Sequence, residues 1–180
     1  MIAFYRLNSY GNNLISKLRH SVLLHALQGK LVVQDPNDEP ASVLLKRIRG
    51  RERKIEKSLP KINKSDSVYE LPKLWESVRL GEILTFKYGK NLPKSKRNQN
   101  GKYSVYGSNG IVGYHDKFLI DKPAIIVGRK GSAGALNIST GPSWTTDVSY
   151  FITPQDGINL NFAFILLKSL RLEKLAYVIG

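Results

Sequence analysis

Leu14, Leu18 and Val22 recur at a spacing of four, and Ile15, Leu23 and Ala26 widen the stripe, so the spacing predicts an amphipathic helix ending at Gly29. The first eleven or so residues hold no such period and include Asn8-Ser9-Tyr10-Gly11, a turn-like cluster. Gln34 to Pro40 reads as a turn whose acidic end and proline open a second helix. Val43, Leu44, Leu45, Ile48 and Ile55 carry that helix to about Lys57. Ser58 to Ser67 is polar and contains one proline, which marks a boundary.

Beyond it the period shortens. Leu80–Tyr88 gives a short element, and Tyr103–Tyr106, Ile111–Tyr114, Phe118–Ile120, Ala124–Val127, Ala135–Ile138 and Val148–Ile152 are short β-rich runs. Asn109-Gly110 between two of them signals a hairpin. Phe162–Ala176 returns to a helical period, with Asn159 or Asn161 as its cap. The expected class is α+β: a compact β-rich domain with flanking helices, preceded by a helical segment. The divisions are 1–13 unassigned, 14–57 helical, 58–70 linker and 71–180 domain.

Composition narrows what such a chain does. Its 180 residues suit one domain with an appendage, and 42% hydrophobic content is enough for a core. The absence of cysteine excludes disulfides, a thiol nucleophile and Cys-ligated zinc. No apolar run reaches bilayer length and no signal-peptide layout opens the chain, so a cytoplasmic location without a membrane partner is expected.

Charge changes the picture more. The net charge is +14, and two blocks carry nearly all of it. Lys46–Lys64 holds nine cations against Glu52 and Glu56, and Lys87–Lys102 holds six and no acid. Cations concentrated in this way point to a polyanion, because they gain by releasing counterions from phosphates.

Motifs for catalysis are weak. Gly128-Arg129-Lys130-Gly131-Ser132-Ala133-Gly134 resembles a phosphate loop, yet Ala135-Leu136 follow where Lys and Ser or Thr are required. A glycine-rich turn between strands is the plainer reading. His20 and His25 lie five apart and share no ligand face, while His115 beside Asp116 is a lone pair. The clustered carboxylates of two-metal phosphodiester chemistry are missing from this sequence.

What survives is non-covalent. Lys90, Lys94, Lys96, Arg97 and Lys102, with Arg129 and Lys130, are the expected phosphate contacts. Ser108, Asn109, Tyr114 and His115 are candidates for base edges, with Tyr106 and Ser132 completing the set. The bland reading of Tyr103 and Tyr106 is that one face of this pair fills the core.

Longer words in the sequence resemble a known family. Leu27–Val32 followed by Gln34–Ser42 is similar to the end of the spacer helix of Type I restriction-modification specificity subunits. Glu70–Trp75 with Val78–Glu82 resembles the entry to their target-recognition domains. Gly101–Gly110, Gly113–Asp116, Ile125–Gly134 and Trp144–Asp147 resemble the body of one.

The resemblance covers roughly residues 14 to 179. It implies sequence-specific reading of one half of a split duplex-DNA target, with no catalysis by the chain itself. An adenine methyltransferase using S-adenosylmethionine and a motor nuclease using ATP and Mg would be the partners, and this chain would bind no cofactor. Leu14, Leu18 and Val22 would form the partner interface, the spacer helices of a second copy included among the partners. The family pattern has two recognition domains and this chain has one, so a partial or half-length subunit is expected. The alternatives are a small basic metal-dependent nuclease and a helical docking fragment.

Overall fold

The structure, a computed structural model, describes residues 2–51, 70–155 and 157–175, with side chains from Leu14 onward. The basic helix beyond Arg51 and the linker at 58–67 lie outside the described residues. The chain divides into two units: the first contains residues up to Arg47 and the stretch ending at Ser77, and the second contains Ile48–Leu59 and everything from Val78.

In the first unit, helix α1 runs from Ile2 to Leu27. It starts about twelve residues before the periodic stripe. The turn-like Asn8–Gly11 cluster is carried inside it, because extending a nucleated helix costs far less than starting one, and a single Gly costs only ~1 kcal/mol. The far end is a Schellman cap. Gly29 adopts φ +69°, its N–H donates to the Ala26 carbonyl at 3.0 Å, and the Lys30 N–H donates to the His25 carbonyl at 3.0 Å.

Gly29 is also a contact point. A Cβ there would lie 2.5 Å from Pro72 Cγ. Gln34 ties the corner: its amide donates to the Gly29 carbonyl and its oxygen accepts from Trp75 Nε1, both at 3.0 Å. Ala41 N–H donates to the Leu74 carbonyl at 2.9 Å. The segment 71–77, placed with the β-rich domain on sequence, thus packs on the helical unit. Helix α2, Ala41–Arg51, begins just after Pro40, and Glu39 pairs with Arg47 on its second turn.

The second unit holds two sheets. One has the order β1-β7-β4-β5, from Lys87–Tyr88, Ser149–Ile152, Ala124–Gly128 and Leu136–Ser139, and is antiparallel throughout. The other has the order β3-β2-β6, from Gly110–His115, Tyr103–Gly107 and Ser143–Thr145. Strands β2 and β6 run parallel. All five residues of β4 are buried, as a continuous apolar run demands. Tyr106, Ile120, Ala124, Ile126 and Phe151 form a core cluster joining the two sheets. Helix α4, Leu160–Ser169, packs on β4 and β5 through buried Ala163 and Leu167.

The structure departs from the local sequence pattern in four places. Leu80–Ile83 is a helical turn, α3, because Glu82 reaches back to accept from the Arg79 N–H at 3.0 Å. Phe118–Ile120 contributes only a bridge between Ile120 and Ser143. The hairpin turn is Ser108-Asn109, with Gly110 already in β3 at φ +105°. The terminal helix breaks at Arg171, φ +49°, before a short α5 at Leu172–Leu175. Asn159 caps α4, accepting from the N–H groups of Asn161 and Phe162 at 2.9 and 3.1 Å.

Candidate nucleic-acid interface

The β2–β3 hairpin organises the expected contact residues. Its base carries Tyr103 opposite His115, and its tip carries Ser108 and Asn109. Beside the base lies the acid-free basic loop. Lys94 and Lys96 stand exposed on a single 3-10 turn after Pro93, and Lys90 and Lys102 are exposed too.

Arg97 fastens this loop. Its Nε and Nη2 donate to the Leu92 carbonyl at 3.2 and 3.0 Å, and Nη1 donates to the Val112 carbonyl at 3.2 Å. Asn98 N–H adds a bond to the Tyr114 carbonyl at 2.8 Å, and the Asn98 amide holds the Asp116 carboxylate. Arg97 thus spends its donors on main chain, and Lys90, Lys94, Lys96 and Lys102 keep their ammonium groups free of ion pairs among the described residues.

Two aromatic residues support the same region. Trp144 on β6 donates through Nε1 to the Lys90 carbonyl at 2.9 Å and packs edge-to-face on His115 with centroids 5.4 Å apart. The His115 Nδ1 is buried and has no hydrogen-bond partner among the described residues. Tyr103 packs edge-to-face on Phe118, and the Lys102 ammonium lies 5.6 Å from its ring. Tyr114 is exposed on β3.

At the hairpin tip the structure brings in the glycine-rich loop. A Cβ on Gly128 would fall 2.1 Å from the Ser132 carbonyl oxygen and 2.4 Å from that of Ser108, so only glycine allows the loop and turn to meet. Arg129 is half-buried, with Nε and Nη2 donating to the Asp147 carbonyl at 3.1 and 2.7 Å. Its guanidinium lies 5.5 Å from the Tyr88 ring, which is 4.8 Å from that of Tyr150. The hydrogen-bonding interaction with Tyr88, and burial, raise the Tyr150 pKa above the ordinary phenol value, against the opposing charge of Arg129. Lys130 and Ser132 are exposed.

Tyr106 belongs elsewhere. It is only 8% exposed, packs in the core cluster, and donates its hydroxyl to the Ile138 carbonyl at 3.3 Å. Its side chain points to the other sheet, the inward side of a strand with period two. The stripe on α1 is open: Leu14, Leu18 and Val22 are 69%, 63% and 47% exposed. The sequence alone does not mark Trp144, Tyr88 and Tyr150 as site residues, since an aromatic alone does not reveal which carbonyl or cation it meets.

Residues 72–180 match the family described as the Type I restriction modification DNA specificity domain. The chain belongs to that family. A specificity subunit of the Type I restriction enzyme EcoEI from Escherichia coli is 46% identical over 88 residues, covering 44% of this chain and 14% of that protein. The EcoAI specificity subunit from the same organism is 47% identical over 83 residues, covering 42% and 14%. The chain therefore spans about a seventh of the length of these curated relatives.

Solved structures resembling it include the S subunit of a Type I restriction-modification system from M. genitalium. That chain is 26% identical with a TM-score of 0.47, covering 52% of this chain and 26% of that one. The HsdS subunit from Thermoanaerobacter tengcongensis is 17% identical with a TM-score of 0.49, covering 95% and 42%. The architecture of this Type I specificity-domain chain is α+β, a β-rich unit with flanking helices. Among the described residues no helix is long and apolar enough to cross a membrane.

Proposed function

We propose that this specificity-domain chain reads duplex DNA sequence-specifically as part of a Type I restriction-modification assembly. One observation carries the reading: an acid-free cationic loop is pinned by Arg97 to a hairpin of a domain whose relatives are named specificity subunits. Pinning matters because a preordered loop loses less entropy on binding than a free one. Lys90, Lys94, Lys96 and Lys102 contact phosphates at the hairpin base, while Asn109, Tyr114 and His115 approach base edges. The five residues of β2 span about 17 Å, which sets the length of duplex lying between loop and tip.

The chain supplies address and no chemistry of its own. In support, the Asp116 carboxylate next to His115 is held by the Asn98 amide. Adenine methylation with S-adenosylmethionine, and ATP- and Mg-dependent translocation and cleavage, belong to partner subunits in the cytoplasm. The exposed Leu14–Leu18–Val22 stripe is where a helix of such a partner, or of a second copy, is seated.

Co-expression with a Type I adenine methyltransferase subunit, followed by genome-wide mapping of methyladenine, tests the reading. Methylation at one split motif is the expected result, and a palindromic motif would indicate two copies per assembly. No new methylation, together with equal affinity for all duplexes in direct binding, would remove the proposal.

A further inference from the structure

The glycine-rich loop leaves an unusual set of donors open. Arg129 and Lys130 both give their N–H groups to the Val148 carbonyl, at 2.9 and 3.1 Å. Gly134 N–H goes to the Gly128 carbonyl at 2.9 Å and Ala135 N–H to the Ser132 carbonyl at 3.2 Å. Between them, the N–H groups of Gly131, Ser132 and Ala133 have no acceptor among the described residues. Three successive unpaired N–H groups around a left-handed glycine, here Gly131 at φ +78°, make a concavity suited to an anion.

The charges agree. Arg129 uses only the Nε–Nη2 edge of its guanidinium on Asp147, so the Nη1–Nη2 end keeps donors to offer. This contrasts with Arg97, which is engaged at Nη1 as well. Lys130 is exposed, and Lys168 faces the loop across an open cleft of about 720 Å³. Two carboxylates lie in the vicinity. Glu173 lines the same cleft with its backbone against Gly134, and Asp147 is exposed, meeting Arg129 through its main-chain oxygen. Three cations against two acids, with neutral N–H donors in the middle, favour a single phosphate-sized anion over an extended polyphosphate.

We infer that the loop Gly128–Gly134 is a preformed nest for one phosphodiester group of the DNA backbone. The N–H groups of Gly131, Ser132 and Ala133 and the free end of Arg129 grip its non-bridging oxygens. This rests on the DNA-reading proposal above and gives it a second anchor, at the hairpin tip, with the lysines at the base as the first. A contact of this kind fixes register on the duplex and carries no sequence information itself.

The test uses the whole chain, isotope-labelled for amide resonances, titrated with a 20-base-pair duplex and separately with inorganic phosphate. The duplex should shift the Gly131, Ser132 and Ala133 amides downfield, in step with those of residues 94–102. Arg129→Gln, verified as folded by its amide dispersion, should flatten the salt slope of duplex binding by about 0.9; Ser132→Pro, verified likewise, should weaken duplex binding at every salt concentration with the slope kept. If the duplex moves residues 94–102 while these three amides, the Arg129→Gln slope and the Ser132→Pro affinity stay put, the nest is wrong and the DNA-reading proposal stands. If the duplex moves nothing, both fall. In that case shifts with inorganic phosphate would identify a site for a free anion, which also overturns the assignment to DNA.

Discussion

Arg97 donates from both edges of its guanidinium to main-chain carbonyls, and Arg129 donates from one. In sequence the two are equivalent, each a cation in a loop rich in small or polar residues. The difference appears only when the fold shows which carbonyl lies within reach. Arg97→Ala should therefore cost about 1–3 kcal/mol in denaturant unfolding, since it leaves the Leu92 and Val112 carbonyls without their charged donor. Lys94→Ala with Lys96→Ala should change stability by less than about 0.5 kcal/mol, yet flatten the salt slope of duplex binding by up to about 2. Tyr106→Phe should lose about 1 kcal/mol of stability with its bond to Ile138 and leave duplex affinity unaltered. An affinity loss in that variant would mean that the core hydroxyl positions the hairpin.

At the scale of elements, local chemistry wrote some boundaries plainly. Ala124–Gly128 is apolar throughout, with three β-branched residues in a row, and forms an inner strand, and Asn159 stands where a cap is needed and acts as one. Other elements depend on partners far away in sequence. The turn at Leu80–Ile83 is tied by Glu82, which also takes Arg49 at 2.7 Å, 33 residues distant. Burial alone would raise the Glu82 pKa, but the hydrogen bonds from Arg49 and from the Arg79 N–H, with their charges, bring it below the ordinary carboxylate value. A lowered pKa in the folded state means this contribution is full above the unfolded value and is lost as pH falls through the folded one.

Unfolding free energies of wild type and Glu82→Gln should accordingly differ at pH 7 and converge toward pH 3. A constant gap would assign the effect to packing. Gly134 is the sharper case. A Cβ there would lie 2.2 Å from the Glu173 nitrogen, at φ +82°, so α5 rests on bare backbone. Gly134→Ala should destabilise the second unit by more than about 2 kcal/mol, read as a lowered denaturation midpoint. The break at Arg171 comes immediately before this docked turn, and no pattern within Phe162–Ala176 announces it.

For the molecule as a whole, the sequence displayed its class, its charge geography and its family words, because each is written in residue types and their spacing. The pairing of remote strands is not. Nothing in Ser143–Thr145 alone predicts a parallel partner in β2, and the open stripe on α1 shows its face without naming what covers it. If that stripe seats a partner helix, Leu18→Glu should abolish co-purification with a methyltransferase subunit while duplex binding by the β-rich unit persists. Loss of both would point to misfolding of the chain.

The pairing of β1 with β7 has a consequence for how the protein is made. Lys87 and Tyr88 find their partners in Phe151 and Tyr150, more than sixty residues later, and β2 waits some forty residues for β6. A ribosome releasing the chain from its N-terminus therefore exposes the β2–β3 hairpin well before either sheet can close. Topologies dominated by such remote pairing fold in milliseconds to seconds, with edges open meanwhile. Nascent chains stalled before Ile152 clears the exit tunnel should be cut rapidly by protease within the β-rich unit, and chains stalled after it should resist. The lysine-rich, acid-free stretch emerges ahead of its supports, and its like charges keep that waiting edge from joining another chain.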